Sequence, residues 1–112
     1  MIHLGKYNIN TKHCSGDLNV YAAYYADGST VILIQDGELT DKVATVYIEK
    51  SAQDLPFVWL KGWSKNQGLP EALEQCGLLE LTGVTWPMCN CVAQLAKLND
   101  GAVKIIKSIE DQ

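Results

Sequence analysis

Residues Phe57 to Trp86, FVWLKGWSKNQGLPEALEQCGLLELTGVTW, constrain this chain most, because strand, turn, helix and strand signals follow one another there without conflict. FVWLK reads as a short strand, and Pro56 fits only at its beginning or at a sheet edge. Between Trp63 and Gly77 the pattern becomes helical. Pro70 is tolerated in a first turn, where its missing N–H would have had no partner, and Glu71 and Glu74 sit near the positive end of the helix dipole. Leu69, Leu73 and Cys76 fall at i, i+4 and i+7 and make one narrow apolar stripe, and Gly77 stands where a left-handed terminating residue belongs. A helix of about two turns is unstable alone, so its stripe must lie on a sheet. LLELTGVTW then reads as a strand, with Gly83 as a bulge or bend and Pro87 as its interruption.

The first half of the chain reads as strands. His3 to Asn10 is an extended segment, followed by a loop at Ser15, Gly16 and Asp17. NVYAAYYA, Asn19 to Ala26, and STVILIQ, Ser29 to Gln35, flank Asp27-Gly28, a pair suited to a two-residue hairpin turn. Val31 to Ile34 is apolar on both faces and belongs centrally in the sheet or under the helix. Asp36-Gly37 marks another turn. VATVYIE alternates, with Ala44, Val46 and Ile48 on one face and Val43, Thr45, Tyr47 and Glu49 on the other, which suggests a half-buried antiparallel strand before the polar loop Lys50 to Asp54. Near the end, Val103, Ile106 and Ile109 fit helical spacing, while the Asn99-Asp100-Gly101 turn signal and the β-branched content favour strands. The expected architecture is one α+β domain over residues 1–112: a mainly antiparallel, twisted sheet of about seven strands with one short helix, Leu69 to Cys76, packed on it.

With 112 residues and 47% hydrophobic content the chain can bury one core. No stretch approaches the about 20 apolar residues of a membrane span, and the start lacks the apolar region of a signal peptide, so a soluble cytosolic protein with no membrane partner is expected. The formal charge is -4 and arginine is absent, which removes the usual device for bidentate phosphate and guanine recognition and makes nucleic acid a weak expectation. The four cysteines, Cys14, Cys76, Cys89 and Cys91, are expected as free thiols.

Cys89-x-Cys91 on a strand would point both thiols to one face and, with Cys14, His13 and His3, could supply zinc ligands. Metal knuckles use C-x2-C, however, and isolated cysteines commonly fill cores, so neither metal nor other cofactor is expected. Cys14 beside His13 is a poor nucleophile–base pair, because neighbours in an extended chain point apart, and no catalytic motif supports an enzyme. Asp36, Glu38, Asp41 and Asp54 lack calcium-loop spacing and read as solvated loop residues. The aromatics Trp59, Trp63, Trp86, Tyr21, Tyr24, Tyr25 and Tyr47 are of the kind that anchor interfaces or stack on bases. Trp63 stands out because Gly62 and the polar run SKNQG flank it; Ser64 and Asn66 there also suit hydrogen bonding at a helix start. The predicted partner-binding residues are therefore Trp63, Ser64, Lys65 and Asn66.

The strand ending at Lys61, the WSKNQGL stretch Trp63 to Leu69, the EALEQCGLLE segment Glu71 to Glu80, Thr82-Gly83, a last cysteine-bearing strand and the preceding VATVYIE together resemble the family catalogued as domain of unknown function 4313, small proteins of bacterial phages, plasmids and conjugative elements. Lys65, Pro70 and Trp86-Pro87-Met88 depart from the family pattern, which has an acidic residue, an aliphatic residue and a smaller, more polar turn there. The resemblance implies a setting, a mobile element, and no agreed activity. Two functions follow as expectations. One is a non-catalytic module that binds a host or phage protein through its aromatic and acidic surface, a host-defence inhibitor, for instance of restriction or CRISPR machinery, being one sharp form of it. The other is a nucleic-acid binder using aromatic stacking with Lys61, Lys65, Lys97, Lys104 and Lys107.

Overall fold

The hairpin signal around Asp27-Gly28 is realised with one residue more than a two-residue turn. In the computed structural model, which describes residues 1–12, 14–35, 41–48 and 55–110, the Gly28 N–H donates to the Tyr25 carbonyl at 2.9 Å and the Tyr25 N–H to the Ser29 carbonyl at 2.8 Å. Gly28 has φ +90°. A three-residue loop ending in a left-handed glycine is the other common way to match hairpin twist. The Ser29 hydroxyl and amide both donate to Asp27, and these bonds hold its carboxyl below the ordinary range.

The turn joins β2 (Ser15–Tyr24) to β3 (Thr30–Gln35); β1 (Ile2–Asn10) and β4 (Asp41–Val43) complete an antiparallel sheet in the order β1-β2-β3-β4. A second antiparallel sheet has the order β5-β7-β6, from β5 (Phe57–Leu60), β6 (Leu79–Met88) and β7 (Cys91–Leu98). The seven strands thus form sheets of four and three rather than the single sheet expected. The cause lies in the segment after Val43. The Ala44 N–H bonds to Ile32 of β3 at 2.9 Å, Thr45 bridges Leu60 of β5, and the Val46 N–H bonds to Trp59 at 3.0 Å. The stretch read as one alternating strand serves each sheet for only a few residues and passes between them, which is how twisted sheets turn a corner. The expected turn at Asp36-Gly37 and the loop at 50–54 lie outside the described residues.

Helix α1 (Leu69–Gln75) ends as its sequence requires: Gly77 has φ +87°, its N–H meets the Glu74 carbonyl, and the Leu78 N–H reaches back to the Leu73 carbonyl at 3.2 Å. This is a Schellman closure with its accompanying apolar contact, since Leu73 and Leu78 are both fully buried. Leu69 and Leu73 face the core as expected and Cys76 is half-buried, while Pro70 and Ala72 are buried too, so the stripe is broader than three residues.

The expected strands near the C-terminus are instead a second helix, α2 (Asp100–Glu110). Asn99, read as part of a hairpin turn, is its cap: Oδ1 accepts from the Ala102 N–H at 2.7 Å, and Ala102 and Ile106 are buried at helical spacing. The same three residues that favour a turn also start helices, and the spacing decides between the two readings. Both helices, the inner face of each sheet and Ala44 close one main core, containing Ile9, Val20, Ile32, Ile34, Leu60, Leu73, Leu98 and Ile106 among others. No helix among the described residues is long and apolar enough to cross a membrane.

Candidate functional site

Strand alternation sends Val58, Leu60 and Ala96 of the three-stranded sheet into the main core and the intervening residues to its other side. On that outer side Trp59 lies opposite Leu95, Ala93 opposite Trp86, and Cys91 opposite Met88. Ile48, Trp59 and Ala93 are buried as the floor of a second apolar cluster, and Val46, Trp63, Trp86, Met88 and Leu95 pack around them half-exposed. The Trp59 and Trp86 rings meet edge to face with centroids 6.2 Å apart. The buried residues of α1 and α2 belong to the main core, so both helices pack on the opposite side.

The outer face of the four-stranded sheet is chemically different. Asn8 donates to Asp17 at 2.9 Å, Asn10 to Asn8 at 3.0 Å, and His3 Nε2 lies 3.0 Å from Asn19 Oδ1. Polar side chains bonding along a sheet are what a solvated face displays. Three tryptophans gathered on one sheet face are what a solvated face avoids, since apolar surface left in water is unfavourable.

The four sequence-predicted contact residues divide between roles. Trp63 joins the apolar cluster, and Ser64 and Lys65 are exposed beside it. Asn66 is 5% exposed and turned inward, its Nδ2 donating to the Val43 carbonyl at 2.9 Å. It ties the turn to β4 and does not cap α1, whose cap residue is Gly68. Residues Ser64–Asn66 form a single 3-10 turn, with Ser64 at φ +54°. Lys42 Nζ donates to the Lys65 carbonyl at 3.0 Å, two residues along the chain from Trp63, and Lys61 follows the last residue of β5.

Trp86 is among the aromatics expected to anchor an interface, whereas Met88 and Leu95 are additions that the structure makes to this surface. The signal existed in the period-two spacing of Trp86 and Met88, but Pro87 between them reads as an interruption. It is accommodated because β6 is an edge strand, paired among the described residues with β7 alone. The free edge of β6 is unsuited to pairing with another chain, since Pro87 lacks a donor and residues 82–84 bulge between the register pairs Leu81–Ala96 and Thr85–Gln94. Thr82 Oγ1 stabilises that bulge by donating to the Leu95 carbonyl at 2.9 Å and accepting from the Val84 N–H.

The thiols do not assemble into the site weighed from the sequence. Cys89 lies in the β6–β7 turn rather than on a strand, Cys14 is buried, Cys76 donates to the Leu73 carbonyl, and His13 lies outside the described residues. Among the described residues no group of three or more His, Cys, Asp or Glu could hold a metal ion. Asp36, Glu38 and Asp54 are outside the described residues. The lysines proposed for nucleic acid are interspersed with acids: Lys97 pairs in register with Glu80, and Lys104 and Lys107 share a shallow depression with Asp100.

Exposure orders the thiols. Under native conditions Cys89 is expected to alkylate first, Cys91 next, Cys76 more slowly because burial pushes its thiol up, and Cys14 last. Mass-spectrometric mapping of timed iodoacetamide labelling checks this, and early labelling of Cys14 would contradict the packing described. Comparison with protein-family models, with curated proteins and with solved structures finds no match to this chain.

Proposed function

We propose that this chain is a non-catalytic protein-binding module that docks through the outer face of its three-stranded sheet. The observation that supports this reading most is the half-exposed group Trp63, Trp86, Met88 and Leu95 standing over buried Ile48, Trp59 and Ala93. Aromatic residues and methionine above a packed apolar floor are the composition of interface centres. The blocked edge of β6 directs a partner to the face instead of to strand addition. Lys65, two residues after Trp63, with the Lys42 ammonium on its carbonyl, favours a partner with an acidic surface next to an apolar anchor. The setting, a bacterial mobile element whose target is a host or phage protein such as a restriction or CRISPR component, rests on the resemblance of residues 43–49 and 57–98 alone.

The test is affinity capture from bacterial lysate with immobilised protein, compared with Trp63→Ala and Trp86→Ala variants. Each variant should weaken the captured complex by roughly 2 kcal/mol, about thirtyfold in affinity, and capture should survive raised salt because apolar contacts carry it. Equal capture by both variants would show that the face is not the contact. Binding to single- or double-stranded nucleic acid in low-salt anisotropy, falling steeply with salt, would favour the nucleic-acid reading instead.

A further inference from the structure

Three sulfur atoms occupy four consecutive residues at the tip of the β6–β7 hairpin, and the geometry points to a site there for a soft monovalent cation, copper(I), held by Cys89, Cys91 and Met88. Met88 and Cys91 are register partners, so their side chains are neighbours on one face, with Cβ atoms about 4.5–5.5 Å apart. Cys89 lies in the turn between them, and Asn90 closes that turn at φ +63°, a conformation asparagine tolerates better than most residues. Cys89 is exposed, Cys91 and Met88 are half-exposed, and both thiols are free, so none of the three sulfurs is consumed by the main core.

The donor set selects the ion. Thiolate and thioether sulfurs favour copper(I), whereas structural zinc requires four ligands of the cysteine and histidine type. The tip offers two thiolates and one thioether, and no further His, Cys, Asp or Glu joins them among the described residues. A closed-shell monovalent ion is satisfied by two or three ligands, so the hairpin can complete its coordination. On binding, two S–H bonds break and both protons pass to the buffer, the copper leaves its previous ligands, and three Cu–S bonds form, two to thiolates and one to the thioether, with no change of oxidation state. Trp86 lies two residues before Met88 on the same face and provides an optical reporter.

Titration of reduced protein, without oxygen, into copper(I) held by the coloured chelator bicinchoninate tests the site. One copper per chain should leave the chelate, with a change in tryptophan fluorescence. Cys89→Ser and Cys91→Ser should each abolish the transfer, Met88→Leu should weaken it about tenfold, and Cys14→Ser and Cys76→Ser should leave it intact. Unchanged far-ultraviolet dichroism confirms that the tip variants are folded. A chelate left fully coloured by the wild-type protein, or transfer persisting in the Cys89→Ser/Cys91→Ser double variant, overturns the proposal, and full affinity in Met88→Leu removes the thioether from the site. Zinc added alone should not be retained through gel filtration; stoichiometric zinc would assign the tip to a different ion.

Discussion

Truncation of Leu73 to alanine is expected to lower the unfolding free energy by about 3 kcal/mol and the melting temperature by roughly 10–15 °C. Leu73 is 0% exposed and lies where α1, β1 and the second sheet meet. Its carbonyl also receives the Leu78 N–H that closes the helix, and the two leucine side chains are buried together beside that bond. A helix of seven residues has no independent stability, so everything holding α1 down is tertiary. Removing its central side chain leaves a cavity that neither sheet can collapse into, since both are pinned by their ladders. Thermal and urea unfolding measure the loss. The control is Ile109→Ala at a residue 46% exposed on α2, expected to stay within about 0.5 kcal/mol of wild type. A Leu73→Ala loss as small as the control's would mean that α1 does not lie on the core as described.

Asn99→Ala is the second large effect, expected to cost about 2 kcal/mol. One side chain here serves three segments. Its Oδ1 caps α2 through the Ala102 N–H at 2.7 Å, its Nδ2 donates to the Gly77 carbonyl at the end of α1 at 2.8 Å, and the same nitrogen is 3.4 Å from the Tyr7 hydroxyl of β1. Loss of a cap alone costs about 0.5–2 kcal/mol, and loss of the amide donor adds to it because the Gly77 carbonyl then depends on water. Asn99→Asp separates the two contributions: aspartate caps as well as asparagine but cannot donate to Gly77, so its loss should be about half that of alanine. Urea midpoints read both variants. Equal losses for alanine and aspartate would place the whole effect in the bond to Gly77, and no loss for alanine would remove Asn99 as the joint between the helices.

The legible parts of this fold are those whose signals act within about one turn of chain. Pro70, the leucine spacing and Gly77 specify α1 and its left-handed end, because each acts on a backbone group at most a few residues away. The β2–β3 hairpin is legible for the same reason, although Gly28 occupies a three-residue loop. The segment at 99–110 carries two valid local signals, turn and cap, and burial of Ala102 and Ile106 against the main core selects the helix. At the candidate surface, Trp63 is legible from its polar neighbours and Trp86 as an aromatic of interface type, while their sharing one face with Met88 and Leu95 is not, because the face a strand residue occupies depends on its pairing partner. Asn66 was read as a contact from its loop chemistry, yet its partner is the Val43 carbonyl, 23 residues away.

Residue order alone thus determined which stretches could become helix, strand or turn, since hydrogen bonds and steric limits between near neighbours decide those states. Only the assembled molecule decided that the strands divide into two sheets at Ala44 and Thr45, that α2 is a helix, and that three tryptophans meet on one outer face. Those outcomes depend on burying apolar surface between segments far apart in the chain, and that free energy exists only once the distant partners are in place.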